Sequence, residues 1–244
     1  MKDRLDKILV ERGIVPSRER ARALIMEGKV LVNGMPATKA GAMVEGNAGI
    51  ELKGGDIPYV SRGGLKLEAA LSHFSIPLQG KIGMDIGAST GGFTDCMLQH
   101  GAAKVYCIDV GYGQLAWALR QDPRVVLFER TNIRTLEREK VPGEIDIVVI
   151  DVSFISLEKV VPKALEFLKK GGEIIALIKP QFEVGKGEVD KGGVVRDEEK
   201  RMRAVERVRE NLESLGLRTV GILQSPILGQ KGNVEFLIYM RSAN

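Results

Sequence analysis

The feature that most constrains this 244-residue chain is an alternation that begins at Lys81. Strand-sized apolar runs start near Ile82, Val105, Val125, Ile145, Glu173, Thr219 and Val234. Between them, helical stretches are predicted at roughly 92–100, 113–121, 156–169 and 196–215. Strands that alternate with helices predict an α/β sheet, mostly parallel, with helices on both faces. Ligands of such sheets bind beyond the carboxyl ends of the strands. Charged residues at those ends are therefore the first candidates for chemistry.

Several function classes drop out on residue supply. Cys96 and Cys107 are the only cysteines, too few for a disulfide framework or a Cys-rich zinc site, so a reducing cytoplasm is expected. His73 and His100 are the only histidines, which leaves few parts for a His-based metal centre or a serine-protease-like triad; both read as structural. The best apolar runs, 147–150 and 174–178, fall far short of the ~18–20 residues of a membrane span. The chain is charged from Lys2 onward and lacks an apolar signal core, so no membrane association is expected. Phe93 and Trp117 fall at core-like helical positions.

The first sixty residues differ from the rest. Residues 1–40 carry nine Lys/Arg against five acids, an excess equal to the +4 of the whole chain. Asp3 is placed to cap a helix with Leu5, Ile8 and Leu9 on its apolar side and Gly13 beyond its end. Ser17 is placed to cap a second helix, with Ala21, Leu24 and Ile25 inward and Gly28 as its stop. Arg18 and Arg22, four apart, share a face of that helix. A short alternating strand then runs into Asn33-Gly34, a strong hairpin signal. Gly41, Gly46, Gly49, Gly54, Gly55 and Pro58 fit the end of a small β unit and a linker, with the boundary near 57–61. The expected domains are thus 1–60 and 61–244.

In the second part the first apolar run ends in Met84-Asp85-Ile86-Gly87-Ala88-Ser89-Thr90-Gly91-Gly92-Phe93-Thr94. Its glycines permit close backbone approach to a ligand, but the spacing is not the Gly-x-Gly-x-x-Gly of nicotinamide-binding strands. The next run ends in Asp109, a carboxylate placed to accept ribose hydroxyls, and the two together favour an adenosine-containing cofactor. Asp151 ends the fourth run, Lys179 the fifth, and Glu235 lies in the last strand of the series. Lys66 belongs to a predicted helix ahead of the first strand, on a face other than that of Leu67, Leu71 and Phe74. Residues 186–193, rich in glycine and charge, read as a mobile loop after Lys179.

These motifs resemble known families. Asp85-x-Gly87-x-x-x-Gly91-Gly92 is similar to motif I of S-adenosylmethionine (SAM) methyltransferases. The order Ser17-Arg18-x-x-Ala21-Arg22 through Val30-x-Val32-Asn33-Gly34 resembles the alpha-L RNA-binding domain of a small-subunit ribosomal protein, pseudouridine synthases and tyrosyl-tRNA synthetases. Lys66, Asp151, Lys179 and Glu235 resemble the Lys-Asp-Lys-Glu tetrad of FtsJ-like ribose 2′-O-methyltransferases. With Ser61-Arg62-Gly63-Gly64-x-Lys66-Leu67 and the Asp85 motif added, the whole chain resembles the TlyA, or hemolysin A, family.

The resemblance implies a Rossmann-like class I SAM-dependent sheet behind a small alpha-L domain. It implies methylation of ribose 2′-hydroxyls of cytidines in ribosomal RNA, with ribosomal subunits as partners. SAM would be held by Asp85, Gly87, Ala88, Ser89, Thr90 and Gly92, with Asp109 on its ribose and Asn132 at the adenine edge. Arg18, Arg22 and Lys29 would face RNA phosphates, joined by Arg4, Lys7 and Arg20. Asp151-Val152-Ser153-Phe154 is not the Asn/Asp-Pro-Pro-Tyr of many base methyltransferases, which favours ribose chemistry. Lys179 is the expected general base, oriented with Lys66 by Asp151 and Glu235. Methyl transfer from a sulfonium needs no Lewis acid, so no metal is predicted. The sequence sets no oligomeric state and is compatible with a monomer. Two other readings compete: a non-catalytic RNA-binding or ribosome-assembly factor on the same scaffold, and a membrane lysin, which lacks any apolar span or signal. An intact tetrad argues against the first.

Overall fold

A computed structural model of the chain describes residues 2–15, 17–26, 28–53, 57–185 and 187–243. Part of the linker, Gly54, Gly55 and Asp56, and Lys186 of the glycine-rich loop lie outside the described residues. The chain divides into two compact units, Met1–Pro58 and Tyr59–Asn244.

In the first unit, β1 (Lys2–Arg4) leads directly into α1 (Leu5–Glu11), followed by α2 (Arg18–Met26). Four short strands complete it: β2 (Val30–Val32), β3 (Met35–Pro36), β4 (Met43–Glu45) and β5 (Ile50–Leu52). β2 pairs with β3 and β5, and β1 pairs with β4. Leu5, Leu9, Ala21, Leu24, Ile25 and Val30 form its core, the i, i+3, i+4 positions of two helices closing on a strand. The Asn33-Gly34 turn has both residues in the left-handed region, φ 50° and 77°, as a two-residue hairpin requires. Ser17 caps α2 through its Oγ, which accepts the Arg20 amide at 3.2 Å. Asp3 does not cap α1. Pairing of β1 with β4 draws residues 2–4 into extended backbone, so Arg4 stands at the N-cap without a side-chain bond. The Asp3 carboxylate accepts from Lys7 Nζ at 2.5 Å instead.

The second unit contains α3 (Gly63–His73), β6 (Ile82–Ile86), α4 (Gly92–Gln99), β7 (Lys104–Ile108), α5 (Trp117–Arg120), β8 (Val125–Phe128), β9 (Ile145–Ile150), α6 (Val161–Leu165), β10 (Leu168–Ile178), α7 (Pro180–Glu183), α8 (Glu198–Ser214), β11 (Leu217–Gln224) and β12 (Phe236–Ser242). Its seven strands run in the order β11-β12-β10-β9-β6-β7-β8. β10, β9, β6, β7 and β8 are parallel, whereas β12 inserts antiparallel between β10 and β11. Strand side chains alternate between two cores. Val148, Ile150, Ile174 and Ala176 face α6 and α8, while Ile147, Val149, Ile175 and Leu177 face α3 and α4.

Three expectations change here. The 113–121 stretch yields only the single turn of α5, and Trp117 is 65% exposed rather than in the core. The 156–169 stretch breaks into a 3₁₀ turn at Leu157–Lys159 and the short α6, with Pro162 beginning the new helix. β10 starts at Leu168, before the run at Glu173, because Leu168 pairs with Ile145 across a bulge that holds Lys169 to Gly172.

A tetrad at the edge of the sheet

β6 occupies the point where the strand order reverses, with β9 on one side and β7 on the other. The loop after β6 is held open there by neighbouring backbones: the Gly87 amide donates to the Ile108 carbonyl at 2.8 Å, and the Asp151 amide donates to the Ile86 carbonyl at 3.0 Å. Gly87 has φ +87°, and a Cβ at this position would collide with the Asp151 carbonyl. Only glycine meets both conditions. The loop and the segment carrying Asp151 therefore touch through main chain, which fixes one relative to the other.

The predicted cofactor residues gather around that loop. Asp85 is fully buried; its Oδ2 accepts the Thr94 hydroxyl at 2.6 Å, and its Oδ1 has no hydrogen-bond partner among the described residues. Burial, assisted by the charge of Asp151 and opposed by the Thr94 hydrogen bond, pushes the Asp85 carboxyl up to about 7. Ala88 is buried and Ser89 takes φ +49°. Asp109 is half-buried and held at two points, Oδ2 accepting the Ser89 amide at 2.7 Å and Oδ1 the Gly111 amide at 2.6 Å. Each oxygen keeps a second lone pair for a further donor. The Thr90 carbonyl accepts the Ala116 amide at 3.0 Å, and Gly92 opens α4 against Ser61 and Gly64. Asn132 starts a 3₁₀ turn and its Oδ1 accepts the Arg134 amide at 3.1 Å.

The four tetrad residues form two pairs, in which Lys66, Lys179 and Glu235 are buried and Asp151 is half-buried. Lys66 Nζ donates to Glu235 Oε2 at 2.6 Å; Lys66 is 8% exposed and Glu235 2%. Lys66 is thus not on a solvent face of α3: it turns inward beyond the Leu67, Ala70 and Leu71 stripe. Lys179 Nζ forms an ion pair with Asp151 Oδ1 at 2.5 Å and donates a hydrogen bond to Ser153 Oγ at 2.9 Å. Register explains how the pairs meet. Ile178 faces Phe236 across β10 and β12, so Lys179 and Glu235 are the next residues past that paired position. Glu235 therefore precedes β12 rather than lying inside it. Its carbonyl accepts the Ser225 amide at 2.9 Å, and its carboxylate rests against Gly229 so closely that a Cβ there would collide with it. Asn233 ties this segment to the loop after Lys179: its Nδ2 donates to the Gly193 carbonyl and its Oδ1 accepts the Val195 amide.

Three of these features escape the sequence reading. Ser153 reaches Lys179 only because both follow parallel neighbouring strands, and its signal was adjacency to Asp151. Phe154 follows with φ +64°, rare for a bulky residue, and is 87% exposed with its ring 5.0 Å from that of Phe182. Gly229 has no motif to mark it. Val110 and Tyr112 in the loop after β7, Trp117 at the start of α5 and Phe154 in the loop after β9 are also exposed.

In the first unit, Arg4, Arg18 and Arg22 reach the carboxylate of Asp6. Lys7 pairs with Asp3 and Glu11, while Arg20 and Lys29 are partly buried, on α2 and just before β2. Among the described residues, no helix is long and apolar enough to cross a membrane.

Residues 59–242 match the FtsJ-like methyltransferase family, and residues 3–50 match the S4 domain. The 16S/23S rRNA (cytidine-2′-O)-methyltransferase TlyA of Mycobacterium tuberculosis is 47% identical over 98% of this chain and 90% of its own length. Hemolysin A of Brachyspira hyodysenteriae is 43% identical over 97% and 98%. A Streptococcus thermophilus structure described as a hemolysin superposes with a TM-score of 0.79 at 41% identity, covering all of this chain and 89% of that one. The fold is also that of the N-methyltransferase NodS of Bradyrhizobium japonicum, with a TM-score of 0.52 at 17% identity over 74% and 88% of the two chains. The chain belongs to the TlyA (hemolysin A) family of FtsJ-like methyltransferases, with an S4 domain preceding a Rossmann-like methyltransferase domain.

Proposed function

We propose that this chain transfers the methyl group of SAM to the ribose 2′-hydroxyl of a cytidine in ribosomal RNA. The observation that carries the reading is the pairing of Lys179 with Asp151 and of Lys66 with Glu235 at one end of the sheet, beside the loop at its switch point. The relatives named as rRNA cytidine-2′-O-methyltransferases support the substrate class.

The residues around β6 suit SAM. The unpartnered, buried Asp85 oxygen offers an acceptor for an ammonium, and the pinned Asp109 carboxylate offers two lone pairs for a pair of ribose hydroxyls. When bound, SAM supplies an electrophilic methyl on a sulfonium. Asn132 Oδ1 already caps a turn, which leaves its amide group for the adenine edge.

A 2′-hydroxyl is a weak nucleophile, so the protein must orient it and remove its proton as the new bond forms. Lys179 is the proposed base, taking that proton at Nζ in its neutral form. Asp151 and Ser153 fix where Nζ points, and Lys66, held by Glu235, orients the ribose. Phe154 and Phe182 offer an aromatic face for the base of the same nucleotide. Arg4, Lys7, Arg18, Arg20, Arg22 and Lys29 of the S4 domain would hold RNA phosphates.

Incubation with methyl-labelled SAM and purified ribosomal subunits, followed by alkaline digestion, tests the chemistry. Ribose methylation blocks cleavage of the adjacent phosphodiester, so label is expected in an alkali-resistant dinucleotide. Label confined to mononucleotides, or none on either subunit and on free ribosomal RNA, would overturn the proposal.

A further inference from the structure

Asp6 has a position that charge alone does not justify. It lies in the first turn of α1 and is fully buried. Arg4 grips it as a fork, Nε donating to Oδ1 at 3.0 Å and Nη2 to Oδ2 at 3.1 Å. Oδ2 also accepts Arg18 Nη2 at 2.9 Å and Arg22 Nε at 3.2 Å. The hydrogen bonds from Arg4 above all, then those from Arg18 and Arg22, hold the Asp6 carboxyl well below the usual carboxylate range despite its burial.

The anchor is rigid. The Leu5 amide donates to the Ala42 carbonyl at 2.8 Å and the Asp6 amide to the Ala40 carbonyl at 3.1 Å, which clamps the start of α1 to the 40–42 segment. Gly41 lies under the Arg4 guanidinium, 3.3 Å from where a Cβ would stand. The arginine side chains remain 45%, 47% and 50% exposed. A guanidinium has five N–H donors, so each keeps donors beyond those that Asp6 accepts.

An RNA-binding surface gains nothing in net attraction from a carboxylate at its centre. What a buried acceptor does supply is order: three long side chains that would otherwise sample many rotamers are drawn from two elements into one cluster. We propose that Asp6 is a positioning residue that preorganises Arg4, Arg18 and Arg22 as a fork-shaped receptor for RNA phosphates, an inference that rests on the RNA-binding reading of this domain. Arginine suits it because its planar donors match phosphate oxygens two at a time, which lysine cannot do.

Positioning and simple electrostatics predict opposite signs for Asp6→Asn. The substitution adds one unit of positive charge, so attraction to RNA alone predicts tighter binding. Loss of the anchor predicts binding about tenfold weaker, the scale of one charge-assisted hydrogen bond. The measurement is the Kd of the full chain for purified ribosomal subunits at fixed salt, with folding of each variant checked by circular dichroism. Arg18→Lys and Arg22→Lys serve as the second arm, because each keeps its charge, loses the fork and lies on an exposed face of α2. Weaker binding of a folded Asp6→Asn supports the proposal; equal or tighter binding overturns it. If Asp6→Asn does not fold, the lysine variants decide: weakened binding supports the proposal and unchanged binding overturns it. Absence of any binding by the unsubstituted chain would instead count against the RNA reading itself.

Discussion

Asp85 makes the sharpest prediction in the methyltransferase domain. In the unfolded chain it titrates near 3.8, whereas burial raises it to about 7 in the fold. Between those values, unfolding releases a proton, so the contribution of Asp85 to stability is complete below about pH 4 and falls as pH rises through 7. The difference amounts to about 4 kcal/mol at most. Asp85→Asn keeps the shape and can still accept from Thr94, but has no proton to release. Relative to the unsubstituted protein, its urea midpoint is therefore expected to rise steadily from pH 4 to pH 7 and then level off, with the variant the more stable of the two at pH 8. The same residue predicts the pH dependence of cofactor binding. If the ionised carboxylate holds the SAM ammonium, affinity should tighten up to tenfold per pH unit below 7 and plateau above it, with Asp85→Asn weak and flat. A difference in midpoint that does not change between pH 4 and 8 would refute the burial argument. A flat SAM affinity in the unsubstituted protein would refute the assigned role.

Other perturbations separate structure from chemistry. Lys66→Ala leaves Glu235 buried without its partner and should cost about 3–5 kcal/mol in a denaturation experiment; adding Glu235→Gln should restore most of that stability without restoring methyl transfer. Gly229 has φ −73°, which alanine adopts freely, and the nearest atoms an added Cβ would meet are those of the Glu235 carboxylate. Its kcat should fall about 100-fold, the scale of a 1 Å misplacement, while SAM affinity is unchanged; an unaltered kcat would show that the position of Glu235 does not matter. Phe154→Ala should raise KM for RNA about tenfold with little change in kcat, as loss of one base-stacking contact predicts.

Much of the sheet was legible because its strands are buried on both faces and read as short apolar runs broken by turns. Asp109, Asp151 and Lys179 stood out because each ends such a run, and a charge directly after four or five apolar residues is conspicuous; Asp85 stood out as a charge inside a run that leads into glycines. What failed depended on partners distant in sequence. Trp117 looked inward by spacing, but α5 is one turn long and too short to present a face. Asp3 met every local rule for a cap and was overridden by pairing with Val44, forty-one residues on. Asp6 counted only as one of five acids set against nine basic residues. Its burial depends on Arg18 and Arg22 arriving from the next helix, and no local pattern reports that. Glu235 and Gly229 illustrate the same limit: their contact arises because β12 runs antiparallel between β10 and β11, and that order is a property of the sheet rather than of any segment.

The most direct test of the account is a single-turnover comparison of the unsubstituted chain with Lys179→Ala. Both would be supplied with SAM and purified ribosomal subunits, and the product located by mass spectrometry of the RNA nucleosides. The account predicts 2′-O-methylcytidine from the unsubstituted chain, and a rate lower by 100-fold or more from the variant, the scale of a lost general base (about 10²–10⁴), with SAM affinity retained. Near-equal rates would contradict Lys179 as the base, and a methyl group found on a base rather than on the ribose would contradict the function.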